Sequence, residues 1–175
     1  DLRVFTARRG DVDAYIASEY REKISRYFEY IFDEAVQAAP GSSIPSVKLH
    51  ELEEGRPVGI VGESFTPLLV PHGPTNVYGF RVGKLGYITD GKRLPPTTLE
   101  ALKGVDVLVL NALWFGRPHP SHFNIEEAIE AAREVGAERT YLTHLTHRVT
   151  HAELEERLPD GVMAAHDGLI VEVPS

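Results

Sequence analysis

The sequence predicts a mixed α/β fold, β-rich first and then alternating helix with strand, in a single domain spanning residues 1–175. Three observations carry this. Short apolar runs between Val47 and Asp90 are broken by Gly and Pro. Beyond Asp90, helical and β patterns alternate. An apolar content of 42% over 175 residues suffices for a core, although there is no cysteine to staple it. Two stacked sheets flanked by helices accommodate both halves.

The elements follow in order. The chain opens at Asp1-Leu2-Arg3-Val4, without Met and with strand-like residues, as a processed chain or fragment would. Val12 to Ala17 reads as a short strand. Ser18 is placed to cap a helix in which Tyr20, Ile24, Tyr27, Phe28, Ile31 and Ala35 recur at helical spacing, stopped by Pro40-Gly41. The runs 47–52, 58–70, 77–82 and 85–89 read as a mostly antiparallel meander with a hairpin turn at Gly83-Lys84. Thr97 with Glu100 and Asn124 with Glu127 form capping-box patterns, and Thr150 with Glu153 opens a third helix. Gly136 closes the second helix. Between these helices lie the apolar run Val105 to Leu110 and the strand Arg139 to Thr143. Met163 to Ala165 and Leu169 to Val173 read as two closing strands around the turn Asp167-Gly168.

Composition excludes several function classes. Without cysteine there is no thiolate zinc site, thiol nucleophile or disulfide, which leaves His, Asp and Glu as metal ligands and is compatible with a reducing cytoplasm, the expected location. A net charge of −8 opposes a broad basic face for polymeric nucleic acid. A local cluster of Arg81, Lys84, Lys92 and Arg93 is still suited to a small phosphate. No apolar run approaches the ~20 residues that span a bilayer. A Gly-x-Ser-x-Gly elbow, a phosphate-binding Gly-Lys-Ser/Thr loop and a dinucleotide Gly-x-Gly-x-x-Gly are all missing from the sequence.

The chemistry concentrates where apolar runs stop. Pro67-Leu68-Leu69-Val70-Pro71 ends in His72, Gly86-Tyr87-Ile88-Thr89 ends in Asp90, and Thr140-Tyr141-Leu142-Thr143 ends in His144. Strands of an α/β fold deliver side chains to the rim at which they end, so these three are candidate ligands of one metal site. The loop His119-Pro120-Ser121-His122 precedes a capped helix, a place where α/β enzymes mount catalytic groups. Either His119 or His122 has the intrinsic pKa of a general acid. His147 follows His144 by three residues as a neighbouring or exposed imidazole. His50, His151 and His166 read as structural or exposed. A phosphoryl-accepting role for Asp90 would need an acidic pair after an early parallel strand, and the sequence has none.

Taken together, Val-Pro-His72, Tyr-Ile-Thr-Asp90, His-Pro-Ser-His122, Tyr-Leu-Thr-His144-Leu-Thr-His147 and the closing His-Asp-Gly-Leu-Ile-Val-Glu-Val resemble the metallo-β-lactamase superfamily. The likeness is greatest to its phosphodiesterases related to the carbon-phosphorus lyase enzyme that opens phosphoribosyl cyclic phosphate. It covers nearly the whole chain. It implies the C-terminal portion of a four-layer αββα sandwich and two divalent metal ions, zinc or manganese. His72 would ligate one ion, Asp90 bridge both and His144 ligate the second. A hydroxide shared by the ions would attack phosphorus, and His122 would protonate the departing oxygen. His119 and His147 are the candidate substrate contacts.

The chain departs from that family in one respect, having no His-x-His-x-Asp-His motif, the segment that supplies most of the remaining ligands. The resemblance therefore implies a missing N-terminal segment, or a second chain, carrying the first strands and those ligands. An incomplete sheet edge would also invite homo-oligomer formation. The expected substrate is a small phosphodiester, cyclic esters included. The alternatives are RNA 3′-end processing of the tRNA type, which lacks the basic arm it would need, and a non-catalytic interaction domain.

Overall fold

The computed structural model describes residues 2–33 and 35–174, which form two compact units divided between Glu53 and Glu54. In the first, helix α1 (Leu2–Arg9) precedes strand β1 (Val12–Ala17), a 3₁₀ turn (Ser18–Tyr20), helices α2 (Arg21–Tyr27) and α3 (Glu29–Phe32), and strand β2 (Val47–Leu52). The strand-like opening is thus helical. The single helix expected from Ser18 is interrupted at Phe28, whose φ of −116° and ψ of 40° lie outside helical values, and Ser18 makes no capping bond there. Strand β2 lies parallel to β1 in register Val12↔Val47, outside the antiparallel meander to which the pattern assigned it. A parallel pair needs a long crossover, and residues 18–46 provide it.

The second unit is built on a seven-stranded sheet: β3 (Val58–Ile60), β4 (Glu63–His72), β5 (Thr75–Val82), β6 (Leu85–Ile88), β7 (Val107–Asn111), β8 (Arg139–Thr143) and β9 (Val162–Ala164), adjacent in chain order. The pairs from β3 to β6 are antiparallel, and those from β6 to β9 are parallel. The run 58–70 is split by a turn at Val61, which has φ of 47° and is 94% exposed. The hairpin turn falls at Gly83-Lys84, between Val82 and its partner Leu85. Each parallel crossover carries a helix, α4 (Pro96–Leu102), α5 (Ile125–Val135) and α6 (His151–Arg157) in turn. This is the mixed α/β architecture the patterns predict.

Alternation fixes what the sheet buries. Leu108, Leu110 and Leu142 are fully buried and share one core with Leu102 of α4, Ala128 and Ala132 of α5, and Leu154 of α6. At α5 the expected capping box is complete: Asn124 accepts from the Glu127 N–H and Glu127 accepts from the Asn124 N–H, with Gly136 in the left-handed region at the far end. Thr150 caps α6 by accepting from the Glu153 N–H. The box expected at Thr97 does not form. Pro95 occupies the cap position of α4, Thr97 donates to Glu54, and buried Thr98 donates to the Leu69 carbonyl. Residues 169–173 form no strand, since nothing in the described sheet pairs beyond β9, and Ile170 is exposed.

Candidate metal centre

Parallel and antiparallel pairing together decide which strand ends meet. Strands β4 and β6 both pair antiparallel with β5, so they run the same way, and β7 and β8 continue that direction. The ends of β4, β6, β7 and β8 therefore share one rim, and there the chain places His72, Asp90, Asn111 and His144. The loop after β7 returns His122 to the same rim, anchored by the Phe123 N–H donating to the Gly91 carbonyl at 3.0 Å.

At this rim His72 Nε2 and His122 Nε2 lie 3.1 Å apart, and His122 Nε2 is 3.3 Å from Asp90 Oδ1. One ligand atom from each of these three residues falls within 4.8 Å of the others. His144 Nδ1 lies 3.9 Å from the same Asp90 oxygen, and its ring stacks on His122 with centroids 4.7 Å apart. His144 adopts φ of 62°, in the left-handed region that few non-glycine residues occupy and in which His is among the better tolerated.

His119 also reaches the cluster, its Nδ1 3.3 Å from His122 Nδ1 and its ring edge-on to Trp114. His147 sits in an exposed turn, and none of the cluster's hydrogen bonds or ring contacts involves it. Of the imidazoles set aside, His50 pairs with Asp13 at 2.6 Å in the first unit, and His151 pairs with Glu155. The basic cluster is largely committed elsewhere. Arg81 donates to the carbonyls of Gly83, Ala101 and Lys103, Lys84 to that of Gly104, and Lys92 to the Glu127 carboxylate.

Three contributors escaped the sequence reading. Ser121 Oγ lies 3.0 Å from His122 Nδ1, Thr89 donates to Asp90 Oδ2 at 2.9 Å, and buried Asn111 donates from Nδ2 to the Gly91 carbonyl at 3.1 Å. Asn111 closes an apolar run just as Asp90 and His144 do, so the same signal marks it. The other two are adjacent to residues already singled out.

Electrostatics set the resting protonation. Partial burial pushes the Asp90 carboxyl up, but the Thr89 hydroxyl and the imidazoles of His122 and His144 outweigh it and hold Asp90 below the usual carboxylate range. Burial, reinforced by His144 and His72, pushes His122 below the ordinary imidazole value against the opposing pull of Asp90. Near neutral pH the site therefore presents an ionised carboxylate beside a neutral imidazole. Imidazole nitrogen and carboxylate oxygen, without thiolate, form a donor set suited to zinc, manganese or iron.

Residues 1–145 match the beta-lactamase superfamily domain. The chain belongs to that superfamily. A diphosphatase of the PhnP family is similar over 90% of this chain and 56% of its own, at 33% identity and a TM-score of 0.76. Zn(2+)-bound PqqB from Methylobacterium extorquens shares the fold at 18% identity and a TM-score of 0.64, over 97% of this chain and 68% of that one. The short form of human tRNase Z shares it at 15% identity and a TM-score of 0.66, over 99% and 72%. An octanoyltransferase of Porphyromonas gingivalis is 29% identical over 170 residues, 97% of this chain but 34% of that protein. The chain thus spans about a third of that curated relative and just over half of the diphosphatase. No helix among the described residues is long and apolar enough to cross a membrane.

Proposed function

We propose that this chain carries part of the active site of a metal-dependent hydrolase acting on a small phosphodiester. The observation that supports this most is the meeting of His72, Asp90, His122 and His144, from separate strand ends and loops, at one rim of a beta-lactamase superfamily fold. The similar diphosphatase adds weight to phosphorus chemistry. Octanoyl transfer is not adopted, because this region makes up only 34% of the transferase.

On this reading His72, Asp90 and His144 hold divalent cations, with Asp90 shared between two. Bound cations would supply a nucleophile at neutral pH and neutralise charge developing at phosphorus. His122 would act in its protonated form, giving a proton from Nε2 to the departing oxygen, while Ser121 and His119 contact its ring at Nδ1. Three ligating residues are too few for two four-coordinate ions. The reading therefore includes donors from outside these residues, in a preceding segment or a second chain.

A second reading makes His122 a ligand rather than a proton donor. Its support is specific: His122 lies inside the 4.8 Å cluster and rests neutral, as a coordinating imidazole must. Metal analysis of wild type and His122→Ala, together with hydrolysis by the full-length protein of a small phosphodiester whose leaving group is a poor, unactivated alkoxide, tests both. Retained metal with lost hydrolysis supports the first reading, and lost metal the second. A wild-type protein that binds no zinc or manganese and cleaves no phosphodiester would overturn both.

A further inference from the structure

We infer that Asn111 is a positioning residue that sets the spacing between Asp90 and His122, acting through the carbonyl of Gly91. Asn111 ends β7, is fully buried, and touches neither Asp90 nor His122 in any hydrogen bond. Its Nδ2 donates to the Gly91 carbonyl at 3.1 Å, and that oxygen also accepts the Phe123 N–H at 3.0 Å. One carbonyl therefore ties the residue after Asp90 to the residue after His122, and Asn111 fixes where that carbonyl points.

The tie extends to the other two imidazoles. The Lys92 N–H donates to the Pro71 carbonyl beside His72, and the Ala112 N–H to the Thr143 carbonyl beside His144. The Leu113 N–H donates to the Phe123 carbonyl, while the Leu113 carbonyl accepts from both the N–H and the hydroxyl of Thr146. The segments 90–92 and 111–113 are thus the two pieces of backbone against which the loops of His72, His122 and His144 are hung. Among the described residues, the side chain that links these two pieces by a hydrogen bond is that of Asn111.

A second observation separates this role from ordinary packing. Asn111 Oδ1 is buried and has no hydrogen-bond partner among the described residues. A buried amide oxygen left unpaired weakens the fold, so a leucine of similar volume would suit folding better there. Asparagine at this position gives up stability, and what it gains in exchange is the Nδ2 bond to Gly91.

Asn111→Leu separates the two roles, with Asn111→Ala as a second variant should the leucine disturb folding. The inference rests on the metal reading only in its metal arm, so the principal readout is the imidazole NMR signals of His72, His122 and His144 in the metal-free full chain. We expect a melting temperature at or above that of wild type in Asn111→Leu, with the His122 signals shifted or broadened in both variants. Zinc and manganese affinity should fall by about 10- to 100-fold, the usual effect of removing a group that orients ligands. His122 signals identical to wild type in a folded variant would overturn the inference, whether or not the protein binds metal. So would a lower melting temperature in Asn111→Leu with an undisturbed His122, which marks a purely structural amide.

Discussion

His122 and Asp90 face one another across 3.3 Å, thirty-two residues apart in sequence, and a single carbonyl, that of Gly91, links the backbone behind both. Asp90 Oδ1 also lies 3.9 Å from His144 Nδ1. One carboxylate thus sits between two imidazoles whose rings stack, which makes it the residue through which charge in the site is balanced.

Replacing Asp90 by Asn removes that charge and keeps the shape. Asp90 is partly exposed, so the fold should tolerate the change. Affinity for zinc or manganese, measured by calorimetry, should fall by more than the ~10- to 100-fold typical of losing a supporting group. Unchanged affinity would remove Asp90 from the ligand set.

His122→Ala distinguishes proton donor from ligand by kinetics. A general acid contributes roughly 10²- to 10⁴-fold to rate. If His122 has that role, kcat should fall within this range with KM and metal content little changed, provided the leaving group is poor. An activated p-nitrophenyl leaving group, which needs little protonation, should be cleaved with a much smaller loss.

The pH dependence has a definite sign. His122 has its pKa lowered in the folded chain, so between its folded value and the ordinary imidazole value the unfolded chain binds more protons. This contribution to stability is complete above about pH 6.5 and is lost as pH falls through the lower folded value. Asp90, also lowered, adds a second loss at more acidic pH, below the ordinary carboxylate value. Denaturant titrations of metal-free protein at several pH values should show falling stability below pH 6.5. In His122→Phe the upper step should be absent.

How much of this was legible in the sequence differs by level. Alternation and capping chemistry located β7, β8, α5 and α6, because their signals are local: Asn124 with Glu127, Thr150 with Glu153, Gly136. Residues 169–173 show where local signals fail, since a β pattern becomes a strand only with a neighbour to pair. Phe28 interrupts a run of good helical spacing because periodicity does not encode a single residue's φ and ψ. Strand-end placement singled out Asp90, His72 and His144, which the fold brings to one rim. The polarity of the ladder, which no single segment carries, decides that these ends share a rim. Nor could a local pattern show that Arg81, Lys84 and Lys92 donate to carbonyls and a carboxylate remote in sequence.

Gly91 should be the least replaceable glycine of the site. A Cβ built there would collide with Val70 Cγ1, in a part of the core where Val70 is fully buried. Gly91→Ala should destabilise the protein by about 1–3 kcal/mol through overpacking. Because the displaced carbonyl anchors Phe123 and Asn111, it should also disturb the His122 imidazole signals. Gly91→Ala combined with Val70→Ala, which removes the colliding methyl, should recover the signals more fully than the stability.

Asn124 tests whether the loop carrying His122 depends on the helix that follows. Its side chain accepts the Glu127 N–H at 2.8 Å and donates to the Gly116 carbonyl at 2.6 Å, so it both starts α5 and closes the loop between β7 and His122. Loss of a cap costs about 0.5–2 kcal/mol. The second bond, made from a residue only 3% exposed, places Asn124→Ala at the upper end of that range. Asn124→Asp keeps the cap acceptor but loses the amide donor. It should therefore keep α5 capped while setting a carboxylate oxygen against the Gly116 carbonyl and freeing the loop, with a melting temperature below that of wild type and an enlarged hydrogen-exchange rate at residues 115–122. Equal exchange in wild type and Asn124→Asp would mean that the loop is held by Phe123 and Trp114 alone.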